Sequence, residues 1–283
     1  MLLPEASATD TDFWPRVLVG AQAGARNRET SLILAVVSNE EEANLRLPSH
    51  LDGIHIAGFL LSDRLTLSYI SFVRQTGHPA VCTDTYLPDL ALDGVMADDA
   101  EGARTAVRHL VDMGHEKIGF IGNIQWASSF QQRWTGFRGA LEEAGLEVRP
   151  EWTVLRKGSG LPWEPTWIRE QLHALNEMPT AWFCTNDLTA FAVMKVLGEM
   201  GLRVPEDVSV IGFDNVARAA TEATPLTTVH FPMEVMGRRC VERLYQRMEN
   251  PDDPVDLTLI STRLVVRESV KALRAREAVP AVK

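Results

Sequence analysis

The stretch that decides the fold is residues 179–216, PTAWFCTNDLTAFAVMKVLGEMGLRVPEDVSVIGFDNV. Ala181 to Cys184 is a short apolar run of the length of a buried strand. Thr185, Asn186 and Asp187 follow, all residue types that cap helix starts. From Leu188 the period changes: Leu188, Phe191, Ala192, Met194, Val196 and Leu197 fall mainly along one side of a helix that Gly201 ends. A turn containing Pro205 leads into a second apolar run, Val208 to Phe213, which closes on Asp214 and Asn215. The unit is a strand, a crossover helix and a parallel strand. Polar residues stand at the carboxyl end of each strand, where open α/β sheets bind ligands.

Working outward, the same alternation recurs along the chain. Met1 to Leu3, Ser31 to Val37, Gly53 to Leu60, Ala80 to Thr83 and Lys117 to Ile121 read as strands. Pro15 to Arg28, Leu65 to Gln75, Glu101 to Met113 and Met233 to Met248 read as helices, the last with a basic outer face. Pro4 to Asp12 and the segment around Gly158, Ser159 and Gly160 read as loops. At 283 residues the chain is long enough for one large or two medium domains, and 45% hydrophobic residues permit sizeable cores. Net charge is -10, from 38 acidic and 28 basic side chains, which argues against a basic nucleic-acid-binding surface over the whole molecule. Cys82, Cys184 and Cys240 are far apart and odd in number, the pattern of a reducing compartment. The first residues carry no secretory signal pattern, and no run is long enough to span a membrane. A cytoplasmic location is expected.

No catalytic constellation is present: no HExxH, no clustered His and Cys, no GxSxG. No metal and no cofactor is expected. Adjacent acids such as Asp252 and Asp253 are the kind that loops leave solvated. Asp187, at the junction of strand and helix, has two readings, a structural cap and a ligand contact. Trp126, in the loop before the next helix, is placed to shape a pocket.

The ordered set FCTNDLTAF, GLRVPEDVSVIGFDN and PLTTV (residues 225–229) resembles the effector-binding core of LacI/GalR-type bacterial transcriptional regulators. HLVDMGHEKIGFIGN at 109–123, RWTGFRGALEEAGL at 133–146 and TRLVVRES at 262–269 extend the resemblance over most of the chain. It implies two Rossmann-like lobes of the periplasmic-binding-protein kind, joined by three crossovers with a ligand cleft between them. The expected lobes are residues 1–113 with 230–258, and 114–229 with 259–275, followed by a tail at 276–283. The resemblance also implies site residues. Phe13 and Trp14 follow the first strand, and either stack on ligand or pack the helix start. Asp98 either accepts a ligand hydroxyl or caps its helix. Arg133, opening RxxGF, holds a ligand oxygen, because its donors form a rigid fork. Asp214, ending GFD, accepts hydroxyl or ring-nitrogen donors through charge-assisted bonds.

The partners implied are a small polyhydroxylated ligand, most simply a sugar, a second copy of the chain, and operator DNA. Family members read DNA through an N-terminal helix-turn-helix domain, for which this chain has no room before its first strand. The competing expectation is a sugar-binding periplasmic protein of a transport system, which shares the fold.

Overall fold

A computed structural model describes residues 1–7, 12–158 and 160–273. The middle of the Pro4–Asp12 loop, Ser159 and the expected tail at 276–283 lie outside the described residues. In chain order the elements are β1 (Leu2–Pro4), α1 (Phe13–Arg26), β2 (Ala35–Val37), α2 (Asn39–Ala43), β3 (Phe59–Ser62), α3 (Leu67–Gln75), β4 (Ala80–Thr83), β5 (Asp93–Ala97) and α4 (Asp99–Asp112). Then come β6 (Ile118–Gly122), α5 (Ser128–Glu143), β7 (Thr153–Leu155), α6 (Pro165–His173), β8 (Ala181–Cys184), α7 (Asp187–Glu199) and β9 (Ser209–Asp214). The chain closes with β10 (Thr227–His230), α8 (Met233–Glu249), β11 (Leu257–Ile260) and β12 (Arg263–Val265).

These elements form two lobes. The first is Met1–Asp98 with Pro232–Ser261, and the second is Asp99–Phe231 with residues 262–273. The chain therefore passes from one lobe to the other three times. The sequence reading puts α4 in the first lobe, with the boundary after residue 113. In the structure α4 belongs to the second, because it packs on α5 at backbone distance: a Cβ on Gly136 would lie 2.0 Å from the Ala100 carbonyl oxygen.

In the first lobe the sheet runs β11-β5-β4-β3-β1-β2, all neighbours parallel. Two strands are shorter than the sequence suggests. β2 pairs with β1 only from Leu2↔Ala35 to Pro4↔Val37, so Ser31 to Leu34 find no ladder and stay irregular. β3 begins at Phe59 opposite Ala80, which leaves Gly53 to Gly58 outside the sheet. α2 is a single short turn, started by a capping box in which Ser38 and Glu41 exchange hydrogen bonds. The core gathers Leu2, Val37, Phe59, Leu61, Tyr69, Ile70, Val73 and Cys82.

In the second lobe the order is β12-β10-β9-β8-β6-β7, parallel except for β12 against β10. Every residue of β6, β8 and β9 is buried, as expected of parallel strands covered by helices on both faces. One core follows residues 181–216: Trp182, Cys184, Phe191, Val193, Val196, Leu197 and Val210 pack together. On the other face Phe137 of α5 stacks with Phe183 of β8 at 6.1 Å and packs on Phe120 of β6 at 5.2 Å. Those rings fix α5, and with it Arg133 one turn earlier. The helix of residues 187–199 ends as its sequence suggests, with Gly201 at φ 79° and the Leu202 N–H donating to the Leu197 carbonyl.

Candidate functional site

The second lobe gathers its buried carboxylates, Asp99, Asp187 and Asp214, around one buried arginine near the carboxyl ends of β8 and β9. α5 carries Arg133 inward, and only 1% of the residue is exposed. Its Nε donates to Asp99 Oδ1 at 2.8 Å, and Nη1 donates to the Thr185 carbonyl at 2.7 Å. Nη2 lies 3.1 Å from Asp214 Oδ1. The guanidinium also lies 3.7 Å from the ring centre of Phe213, with Phe130 at 5.2 Å. A guanidinium suits this place because it is planar, always charged and rich in donors. Its desolvation is offset by two carboxylates, a carbonyl and an aromatic face.

Asp214 is the carboxylate of this group nearest solvent: its side chain is 10% exposed, against 0% for Asp99. It ends β9 with φ 106°, and Asn215 follows at φ 55°, so two consecutive non-glycine residues occupy left-handed backbone space. Asn215 Oδ1 accepts from Arg267 Nη2 at 2.6 Å, while its Nδ2 lies 3.2 Å from His230 Nδ1.

Asp187 opens α7 and is fully buried. Its Oδ2 accepts the Val216 N–H at 2.9 Å, and its Oδ1 accepts the Thr228 hydroxyl at 2.5 Å. Burial, and then the neighbouring Asp214 charge, push its carboxyl well above the usual range, against the pull of those bonds and Arg133. The cap is Asn186, whose Oδ1 accepts from the Thr189 N–H at 3.0 Å and hydroxyl at 2.7 Å.

Trp126 lies in the loop after the carboxyl end of β6, the strand beside β8, with its ring edge-on to Trp163 at 5.5 Å. Asn123 shapes that loop. Its Oδ1 accepts the Gln125 N–H, and its Nδ2 donates to the carbonyls of Gly158 and Gly160.

The remaining candidates belong to the first lobe. Phe13 and Trp14 begin α1 and contact each other edge-to-face at 5.1 Å; Trp14 is buried and Phe13 half-buried. Asp98 immediately precedes α4, is half-buried, and donates its backbone N–H to the Ile260 carbonyl. Among the described residues there is no cluster of His, Cys, Asp and Glu able to hold a metal. Nor is any helix among them long and apolar enough to cross a membrane.

The fold and this polar pole define a class: a two-lobed α/β protein of the periplasmic-binding-protein kind. Residues 107–270 match the periplasmic binding protein-like domain. The chain is 31% identical over 278 residues to the HTH-type transcriptional repressor PurR of Mannheimia succiniciproducens, covering 94% of this chain and 80% of the repressor. It is 29% identical to the ribose operon repressor of Haemophilus influenzae, covering 95% and 80%. Among solved structures, a transcriptional regulator CelR–cellobiose complex matches with a TM-score of 0.83 at 28% identity, over 95% of this chain and 83% of that one. The chain belongs to the LacI/GalR family of transcriptional regulators and carries that family's effector-binding core.

Proposed function

We propose that the effector of this regulator is a small, neutral, polyhydroxylated molecule, most simply a sugar, and that Asp214 is its principal polar contact. The observation that carries this reading is the placement of Asp214. Its carboxylate sits at the carboxyl end of a central strand, held by a buried arginine, with part of its side chain open to solvent. A carboxylate so held accepts hydroxyl donors in a fixed direction. Arg133 serves mainly by orienting Asp214. Phe13 and Trp14, with Trp126, are the aromatic candidates for the apolar face of a sugar ring. Two relatives support the sugar class by what they are: one is a ribose operon repressor, and one was solved with cellobiose. The regulator acts as a homodimer, and effector binding changes its affinity for operator DNA through linkage between the two sites.

Calorimetry with ribose, cellobiose and adenine tests the reading. A sugar should bind, and Asp214→Ala should weaken it by about 2–5 kcal/mol while leaving the fold intact. Binding by adenine alone would replace the sugar with a nucleobase. Unchanged sugar affinity in Asp214→Ala would remove this residue from the site.

A further inference from the structure

The turn that carries Asp214 is an improbable piece of backbone. Asp214 and Asn215 are consecutive non-glycine residues with φ of 106° and 55°. Such conformations persist only where the surroundings over-determine them. Here the surroundings are specific. Asn215 is held through its side chain by Arg267 and His230. Val216, the next residue, is held through its backbone N–H by Asp187 Oδ2. The other oxygen of Asp187 takes the hydroxyl of Thr228, in the middle of β10. Asp187 thus ties the exit of the turn to the neighbouring strand. The carboxylate also lies flush against β9, since a Cβ on Gly212 would stand 2.3 Å from Asp187 Oδ1. Its own position is fixed because it opens α7, directly after the capping Asn186.

We infer that Asp187 is a positioning residue for effector recognition, clamping the Asp214–Asn215–Val216 turn so that the Asp214 carboxylate stays on Arg133. It works through the turn and not by touching effector. This rests on the reading of Asp214 as the effector contact. The clamp depends on geometry more than charge. In Asp187→Asn an amide oxygen still accepts the Val216 N–H, and the amide nitrogen donates to the Thr228 hydroxyl. Asp187→Ala loses both bonds. Thr228→Val removes one support and leaves the other.

Two measurements on the full chain test this. The first needs no effector: amide hydrogen exchange at Val216 in nitrogen-labelled protein. Exchange should be at least tenfold faster in Asp187→Ala, at least threefold faster in Thr228→Val, and near wild type in Asp187→Asn. The second is calorimetry with ribose, cellobiose and adenine, using whichever binds. Asp187→Ala should weaken binding at least tenfold, and Asp187→Asn less than threefold. In an Asp214→Ala background, Asp187→Ala should cost no further affinity, because the residue it positions is already gone.

Unchanged Val216 exchange in Asp187→Ala would overturn the clamp, as would affinity losses that simply multiply in the double variant. If Asp187→Ala does not fold, Thr228→Val carries the test, and unaltered Val216 exchange there overturns it. If Asp214→Ala alone leaves affinity intact, the reading of Asp214 fails, while the exchange result still reports on the clamp. If no probe binds, the exchange result decides.

Discussion

Arg133 shows what residue types reveal and what they hide. Its motif was legible, since an arginine opening RxxGF stands beside the glycine and phenylalanine that dock its helix. Its anchor was not. Asp98 and Asp99 are adjacent and alike in sequence, and the buried partner of Arg133 is Asp99. Which of the two turns inward depends on where α4 begins, and that is set by packing on α5. Thr228, Asn215 and Arg267 were hidden for a similar reason: each acts across strand neighbours distant in sequence. His115 is another such residue, buried completely between the start of β6 and the segment around Lys271. Its Nε2 faces the Lys271 carbonyl at 3.1 Å and therefore carries the proton; its Nδ1 lies 3.0 Å from the Thr180 hydroxyl. Burial lowers its pKa, helped by the charges of Lys271 and His109 and opposed by the bond to the Lys271 carbonyl. The sign follows from linkage. A histidine depressed in the folded state takes up protons more readily when unfolded. Its contribution is complete above the unfolded value of about 6.5 and is lost as pH falls below it. His109 is lowered too, chiefly by burial, and acts in the same direction. The raised Asp187 carboxyl acts in the opposite direction, so the His115 contribution is read as a difference between two proteins. Between pH 7.5 and pH 5.5 the urea midpoint of the wild type should lose ground to that of His115→Gln, and an equal change in both proteins would remove His115 from the account.

Among the elements, α3, α7 and α8 and the strands β4 and β8 were read to within two residues, and β2 and β3 were not. α7, α8 and α3 follow a repeating apolar face with capping or ending residues, so their extents depend on local signals. β2 and β3 depend on what they pair with, and their lengths could not be read locally. Glycine within a helix is a further case where the local signal misleads. Helix propensity alone says that replacing any helical glycine with alanine gains about 0.5–1 kcal/mol. Gly198 lies on the exposed side of α7 with nothing within 4 Å of a built Cβ, and should show that gain. Gly136 should show the reverse, because its Cβ would sit 2.0 Å from the Ala100 backbone oxygen. Relieving that overlap forces α4 and α5 apart, a shift that typically costs about 1–3 kcal/mol. It also pulls Arg133 on α5 away from Asp99 at the start of α4. Gly136→Ala should therefore lower both the thermal midpoint and effector affinity, while Gly198→Ala raises the midpoint alone. If both variants shift the midpoint in the same direction, the close approach is not what holds α5.

At the scale of the whole molecule, the discontinuity of each lobe was legible, because the motif order requires the chain to leave and return. Its boundaries were less so. The discontinuity has a consequence for folding. Ending the chain at residue 231 removes α8 and β11 from the first lobe and β12 from the second, so neither lobe keeps its full set of elements. The second lobe, however, is nearly closed in space. β10 and β12 are antiparallel neighbours, with Thr228 opposite Val265 and His230 opposite Arg263. Phe231 and Thr262 therefore stand at the same end of one ladder, where an Asn-Gly turn can join antiparallel strands. A chain of residues 99–231, Asn-Gly and residues 262–273 keeps the whole second sheet and its helices. It also keeps Asp99, Arg133, Asp187 and Asp214 on their own supports. It should unfold in a single cooperative thermal transition by circular dichroism, as an autonomous domain does. The chain ending at 231 should show a broad or absent transition. A non-cooperative melt of the joined chain would mean that the second lobe needs the first in order to fold. The buried acid–arginine group would then be a product of the assembled protein, not of this lobe alone.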